Sequence, residues 1–143
     1  MRALIMYLID TNVISELRKR EKANKSVRQF FEKAIEQEQR LFISVITIGE
    51  LRRGVEMIYH RGDKQQADTL NKWLNSTVSE FAENILNFTE AESQVWGYLR
   101  VPRYENAIDK QIAATALTHD LIIVTRNVAD FSATGVKLLN PFE

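Results

Sequence analysis

Apolar residues occur along this chain in two patterns, short continuous runs and longer stretches with helical spacing. Residues 7–9, 41–46 and 121–124 are uninterrupted or nearly uninterrupted apolar runs, rich in β-branched residues. Such runs are typical of strands that are buried on both faces. Residues 85–88 and 136–139 form two further short runs, which predict additional strands.

Between these runs, apolar residues recur three and four positions apart, which indicates amphipathic helices. The helical stretches are residues 11–17, 27–35, 47–59, 64–76, 89–99 and 107–119. Pro102 follows the fifth stretch, and proline does not continue a helix. Strands that alternate with helices indicate a parallel sheet with right-handed crossovers. The predicted fold is therefore α/β, a three-layer α/β/α sandwich with a mostly parallel sheet.

Length and composition narrow the class of protein. A chain of 143 residues has the size of one domain, so residues 1–143 are expected to form a single domain. Cysteine is absent, which excludes disulfides, a thiol nucleophile and a thiolate metal site. No apolar run approaches the roughly 20 residues of a membrane span, and Met1-Arg2-Ala3 lacks the features of a signal peptide. We therefore expect a protein of the reducing cytosol that does not associate with membranes.

Charges cancel over the whole chain but not locally. The 19 basic and 19 acidic residues give a net charge of zero, so composition alone does not point to nucleic acid. A basic run nevertheless lies early in the chain, with Glu21 as its only acid. Its members are Arg18, Lys19, Arg20, Lys22, Lys25 and Arg28. This run fits either a solvated helix end or a phosphate-binding surface.

Several polar residues fall where a parallel sheet brings them together. Ligands of open parallel sheets bind beyond the carboxyl ends of the strands. Asp10 directly follows the first predicted strand, and Glu50 lies in the first turn of the helix predicted after residues 41–46. The polar residues that follow the strand at 121–124 are Thr125, Asn127 and Asp130. The topology therefore predicts a polar site at this edge of the sheet.

Each acidic residue of this site also has a structural interpretation. Asp10 fits an N-cap of the following helix, and Glu50 fits the far partner of a capping box with Thr47. Asp109 fits an exposed helix start, but it shares a helical face with apolar residues, where a carboxylate costs several kcal/mol unless it is paired or binds a metal. The apolar residues of that face are Ile112, Ala113, Ala116 and Leu117.

Carboxylates that are drawn together raise one another's pKa unless a cation joins them. Oxygen ligands without cysteine or histidine select Mg²⁺ or Mn²⁺, so Asp10, Glu50 and Asp109 are the predicted metal ligands. Such an ion offsets charge on a phosphodiester and lowers the pKa of a bound water. Thr125 and Asn127 are placed to orient that water or the phosphate. These features predict a metal-dependent nuclease.

Two other functions fit parts of this pattern. A Mg²⁺-dependent phosphoacceptor or phosphatase domain also places an aspartate after the first strand of a parallel sheet. Asp10-Thr11-Asn12 lacks the second aspartate of a DxD pair, and no lysine follows a late strand as receiver domains require. A non-catalytic binding module would instead use the acidic pocket as a dock for a basic peptide.

Four short segments carry a more specific pattern. They are LIDTNV at residues 8–13, IGEL at 48–51, DKQIAATA at 109–116 and VTRNVADF at 124–131. In this order, over essentially the whole chain, they resemble the PIN-domain ribonucleases. More narrowly, they resemble the VapC/FitB-type toxins of bacterial type II toxin–antitoxin pairs.

The resemblance implies a five-stranded parallel sheet and Mg²⁺- or Mn²⁺-dependent cleavage of RNA, including structured RNA such as tRNA. It also implies homodimerisation and inhibition by a small VapB/FitA-like antitoxin, in larger toxin–antitoxin complexes. Asp10, Glu50 and Asp109 fall on the family's three acidic positions. Some members carry aspartate where this chain has Asn127. Asp130 is therefore left open as a ligand, a holder of water or the cap of a short helix, and the number of metal ions stays open with it.

The resemblance also suggests roles for the basic residues. Positions are expected as well for the two tryptophans and the two histidines. The start of the basic run, from Arg18 to Lys22, follows the Asp10 loop and is predicted to contact RNA phosphates. Arg126 lies beside the predicted site and either contacts phosphate or pairs with an acid. Core positions are expected for Trp73 and Trp96, and surface or helix-end positions for His60 and His119.

Overall fold

The computed structural model describes residues 4–143, and within this range it has five strands and seven α-helices. The strands are β1 (Met6–Ile9), β2 (Arg40–Ser44), β3 (Ile85–Leu86), β4 (Ile122–Val124) and β5 (Lys137–Leu139). The helices are α1 (Thr11–Leu17), α2 (Lys25–Glu36), α3 (Val45–His60), α4 (Lys64–Glu80), α5 (Glu90–Leu99), α6 (Ala107–His119) and α7 (Val128–Phe131). The prediction about a signal peptide at residues 1–3 lies outside the described range.

All five strands pair in parallel, in the order β3-β2-β1-β4-β5. The central strand β1 pairs with β2 on one side and with β4 on the other, so that Leu8 lies opposite both Phe42 and Ile123. The chain builds outward from β1 through β2 to β3, and then returns to add β4 and β5 on the other side. The predicted five-stranded parallel sheet is confirmed, and its strand order reverses between β1 and β4.

Helices cover both faces of the sheet, as the predicted three-layer sandwich requires. Alternate side chains of β1 point to opposite faces, so Tyr7 and Ile9 belong to one buried cluster and Leu8 to the other. Helices α1 to α4 complete the first cluster, and α6 and α7 complete the second. Trp73 packs partly buried against the first cluster, as predicted. Over residues 4–143 no helix is long and apolar enough to cross a membrane.

The start of α3 differs from the prediction. Helix α3 begins at Val45 because Ser44 is its N-cap, with the Ser44 hydroxyl accepting a hydrogen bond of 3.0 Å from the Ile46 amide. Thr47 is therefore buried inside the helix, and the predicted capping box with Glu50 is wrong. Glu50 lies in the second turn of α3 rather than in its first. The β-branched residues after Ser44 continue the strand pattern, which concealed this boundary.

A buried carboxylate joins the start of α5 to the end of α6. Glu92 is 3% exposed, and it accepts a 2.9 Å hydrogen bond from the Thr89 amide and another from the Thr89 hydroxyl. His119, the exposed last residue of α6, places its Nε2 atom 2.9 Å from Glu92 Oε1. Hydrogen bonding, from the Thr89 hydroxyl above all, lowers the pKa of Glu92 to about 2.

We predict that Glu92→Gln lowers the free energy of unfolding by about 1–3 kcal/mol at pH 7, because it weakens a buried, hydrogen-bonded charge. The folded pKa lies below the ordinary value of 4.5, so the carboxylate stabilises the fold above that pH and the effect is lost as pH falls toward about 2. Chemical denaturation between pH 7 and pH 3 measures both the loss of stability in the variant and its dependence on pH. Glu90→Gln, an exposed neighbour in the same turn, is the control. Equal stability of the two variants would contradict the assignment.

Candidate active site

Asp10 lies at the carboxyl end of the central strand, where its backbone amide donates a 3.0 Å hydrogen bond to Val124 O of β4. Its side chain is 5% exposed and both carboxylate oxygens accept hydrogen bonds. Oδ1 accepts from the Thr11 amide at 2.9 Å, and Oδ2 accepts from the Thr125 hydroxyl at 2.8 Å. Asp10 is thus also the N-cap of α1. Burial raises the pKa of Asp10, and these hydrogen bonds offset only part of that shift.

A network of hydrogen bonds connects the segment after β1 to the segment after β4. The fully buried Thr125 donates its hydroxyl to Asp10, and the same oxygen accepts a 3.1 Å bond from the Asn127 amide. Asn12 crosses between the segments, because its Nδ2 lies 3.2 Å from the Thr125 hydroxyl and its Oδ1 accepts a 3.1 Å bond from the Arg126 amide. Asn12 was not among the predicted site residues, although it stands two positions after Asp10.

Asp109 enters the same region from the first turn of α6, where it is half-buried. Burial raises the pKa of Asp109 to about 6, and repulsion from Asp10, Asp130 and Glu50 adds to the shift. The four carboxylates therefore act on one another electrostatically. The predicted apolar face of α6 is only partly right, since Leu117 is 40% exposed where the helix emerges from the fold.

The remaining polar residues of the site are more accessible. Glu50 is partly exposed and faces a cavity of about 290 Å³ that Thr11 and Arg18 also line. Asp130 is exposed and lies inside α7. Its interpretation as a helix cap is therefore wrong, because the N-cap of α7 is Asn127. The exposed Asn127 side chain forms no hydrogen bond with residues 4–143, so its amide is free to meet a ligand.

No cation of residues 4–143 neutralises this group of acids. Ion pairs within 4.0 Å in this range involve other carboxylates, at Glu16, Glu56, Glu92 and Asp120. Arg126, which was predicted either to contact phosphate or to pair with an acid, forms no ion pair with an acid of residues 4–143 and lies over the Phe142 ring, 4.3 Å from its centroid. The acid group thus keeps a net negative charge that an added cation would offset.

The acids do not yet form a complete ligand shell. Within the described part of the chain, no three Asp, Glu, His or Cys side chains lie in an arrangement that would hold a metal ion. The chemistry of the donors nevertheless fits Mg²⁺ or Mn²⁺, because every side chain in the group offers hard carboxylate oxygens. Asp10 retains lone pairs for such an ion, since each carboxylate oxygen accepts more than one bond.

The basic run lies beside the acids but spreads over several surfaces. Arg18 lines the cavity that contains Glu50, and it also lines a larger cavity of about 690 Å³ between α1 and α4. Arg20 lines the larger cavity only. Lys19 pairs with Glu16 at 2.9 Å, and Lys22 is exposed. Arg18 is therefore the member of the run that shares a cavity with Glu50.

Comparison with known proteins agrees with this fold. The family model described as PIN domain matches residues 7–137. The chain therefore belongs to the PIN-domain family. It is 34% identical to toxin FitB of Neisseria gonorrhoeae and 30% identical to VapC ribonuclease Y4jK of Sinorhizobium fredii, each match covering 96% of this chain and 99% of the relative.

A solved structure extends the similarity to three dimensions. The crystal structure of FitAcB from Neisseria gonorrhoeae matches with a TM-score of 0.83 at 33% identity, over 96% of this chain and 99% of that chain. The VapC/FitB toxin type that the four sequence segments resemble is thereby confirmed.

We predict that Asp109 titrates with a pKa of about 6 in metal-free protein, as followed by the NMR shift of its carboxyl carbon. Asp130→Asn removes one repelling charge and lowers this pKa, whereas Asp120→Asn, at the far end of α6, leaves it unchanged. Because the folded pKa is raised above 3.8, the contribution of Asp109 to stability in EDTA falls as pH rises from about 4 to about 6. An Asp109 pKa near 4 that does not respond to Asp130→Asn would contradict the coupling.

Proposed function

We propose that this chain is a Mg²⁺- or Mn²⁺-dependent endoribonuclease that acts as the toxin of a type II toxin–antitoxin pair. The observation that carries the proposal is the group formed by Asp10, Glu50, Asp109 and Asp130. Burial and mutual repulsion both raise the pKa of Asp10 and of Asp109, and no cation of residues 4–143 forms an ion pair with this group. Bringing these carboxylates together on folding costs free energy. A divalent ion bound by the functional protein would offset that cost.

Asp10, Asp109 and Glu50 are the residues that we assign to hold the ion. When bound, the ion would offset charge on the scissile phosphate and supply a water of lowered pKa. The buried Thr125 hydroxyl orients Asp10, so that one carboxylate oxygen keeps a fixed direction. Asn127 and Asp130 stand at the open side of the site, where they are placed to position the attacking water or the leaving group.

The assignment of RNA as substrate rests on the family and on the cations beside the acids. One relative is named a VapC ribonuclease and another toxin FitB. Arg18 lines the cavity that contains Glu50, and we assign it, together with Lys19, Arg20, Lys22 and Arg126, to contact with RNA phosphates. We further propose a cytoplasmic enzyme that cleaves structured RNA such as tRNA, forms homodimers and is inhibited by a VapB/FitA-like antitoxin.

The phosphoacceptor alternative has less support from the geometry. Asp10 is 5% exposed, and no lysine of residues 4–143 lies within 4.0 Å of it. A receiver or phosphatase domain needs an accessible aspartate oxygen as its nucleophile. A binding module remains compatible with the acidic pocket, and the cleavage experiment distinguishes it from an enzyme.

We predict that the purified protein cleaves total cellular RNA into discrete fragments in Mg²⁺ or Mn²⁺, and that EDTA abolishes the cleavage. Asp10→Asn and Asp109→Asn each reduce the rate by at least about a hundredfold, because each removes a charged metal ligand. Asparagine is also a good N-cap, so Asp10→Asn leaves the start of α1 intact. Sequencing of the fragment ends identifies the cleavage site.

Asp120→Asn is the matched control for these variants, since Asp120 is exposed at the end of α6 and asparagine tolerates its left-handed backbone. Its rate equals that of the wild type. Cleavage that survives EDTA, or that is equal in Asp10→Asn and Asp120→Asn, would contradict the proposal. Binding of a protein partner without cleavage under any metal would favour the binding module.

We predict a separate role for Thr125, as the residue that orients Asp10. Thr125→Val keeps the buried volume but removes the hydroxyl, and we expect metal affinity and cleavage to fall by about 10- to 100-fold. Thr125→Ser keeps the hydroxyl and retains most of the activity. Calorimetric titration with Mn²⁺, together with the cleavage rate, measures both effects. A Thr125→Val variant that matches the wild type in both would show that the hydrogen bond to Asp10 has no functional role.

A further inference from the structure

The side chain of Arg126 is held in place by an aromatic ring rather than by an acid. Its Cζ atom lies 4.3 Å from the centroid of the Phe142 ring, within the range of a cation–π interaction. Arg126 is exposed, and an exposed arginine is normally mobile. No carboxylate of residues 4–143 lies within 4.0 Å of its guanidinium, so the contact with the ring is what orients it.

Phe142 is itself anchored on several sides. Its ring packs against the core cluster on the first face of the sheet, and its backbone amide donates a 2.9 Å hydrogen bond to Asn140 Oδ1. Pro141 beside it is buried, and Glu143 O accepts a 3.0 Å bond from the Ser26 hydroxyl of α2. The segment from Asn140 to Glu143 is therefore a fixed support for the guanidinium.

The backbone of Arg126 is tied to the site, and its charge reaches the basic run. Its amide donates a 3.1 Å bond to Asn12 Oδ1, and its chain neighbour Thr125 holds Asp10. On the other side, Lys19 lies 2.9 Å from the buried Glu16, and the positive charge of Arg126 also contributes to lowering the pKa of that carboxyl. The backbone of Arg126 is thus fixed by the site segment, while its charge acts on Glu16, the partner of Lys19.

We propose that Phe142 is a positioning residue for RNA binding, which holds the guanidinium of Arg126, the residue after Thr125, so that it contacts a substrate phosphate. The proposal rests on the proposed ribonuclease function. The guanidinium forms no ion pair with a carboxylate of residues 4–143, which leaves it available for phosphate. A guanidinium that is already ordered also loses less conformational entropy when it binds.

Kinetics of wild type, Phe142→Leu, Phe142→Tyr and Arg126→Ala test the proposal. The probe is a fluorescent RNA oligonucleotide that carries the site cleaved by the wild type in total cellular RNA. Arg126→Ala raises KM about tenfold through loss of a charged hydrogen bond, and Phe142→Leu raises it about threefold through loss of the π face. Neither changes kcat, and Phe142→Tyr behaves as wild type because it keeps the ring.

Two readouts separate positioning from packing. In the Arg126→Ala background, Phe142→Leu has no further effect on KM, because the group that it positions is gone. The salt dependence of KM also becomes shallower in Arg126→Ala, by about 0.7 in the logarithmic slope for one phosphate contact on single-stranded RNA, and by less in Phe142→Leu. Thermal unfolding of each variant shows whether the core tolerates leucine.

The outcomes that overturn the proposal differ from those that overturn the function. If wild type cleaves RNA and Phe142→Leu has the wild-type KM and salt slope, Phe142 has no positioning role. If Phe142→Leu raises KM equally with and without Arg126, its effect is one of packing and the proposal is again overturned. If wild type cleaves no RNA in any metal, the ribonuclease function fails, and the assigned role of Phe142 fails with it.

Discussion

The position of β1 in the middle of a fully parallel sheet is the constraint on which the rest of the structure depends. Parallel strands place all their carboxyl ends at one edge, and the order of this sheet reverses between β1 and β4. Asp10 follows β1 and Thr125 follows β4, so the two residues meet at the reversal, where no crossover covers the sheet edge. Glu50 and Asp109 then approach the same point from α3 and α6.

Holding these carboxylates together costs free energy, and local hydrogen bonds offset only part of that cost. Hydrogen bonds from the Thr11 amide and the Thr125 hydroxyl fix both oxygens of Asp10, yet burial still raises its pKa. Arg126 lies over Phe142 and forms no ion pair with these acids. The site therefore contains ordered carboxylates whose negative charge no ion pair offsets. A divalent cation would stabilise such a group.

Much of this architecture follows from periodicity in the sequence, because buried parallel strands and amphipathic helices have different repeats. The alternation of the two predicted the layers, and the residues after each strand predicted which polar groups share an edge. The start of α3 was missed for a local reason. Ser44 ends a strand and caps a helix at once, while the β-branched residues on either side suit both structures.

The side-chain contacts that support the site and the fold could not be predicted from the sequence, for a different reason. Asn12 and Phe142 contact partners that are distant in the chain, Thr125 and Arg126, and Glu92 adds a distant contact with His119 to its local one with Thr89. A single sequence contains no periodic signal for pairs of this kind. Their roles emerge only when the fold brings the segments together, although the place of Asn12 two residues after Asp10 was a local clue.

The most direct test of the account is a crystal structure of the protein grown with Mn²⁺, with data collected at the manganese absorption edge. We predict an anomalous peak between Asp10 and Asp109, with carboxylate oxygens at about 2.2 Å and the Thr125 bond to Asp10 preserved. A manganese ion bound elsewhere, or none at a concentration of several millimolar, would contradict the claim that these carboxylates are arranged for a divalent metal.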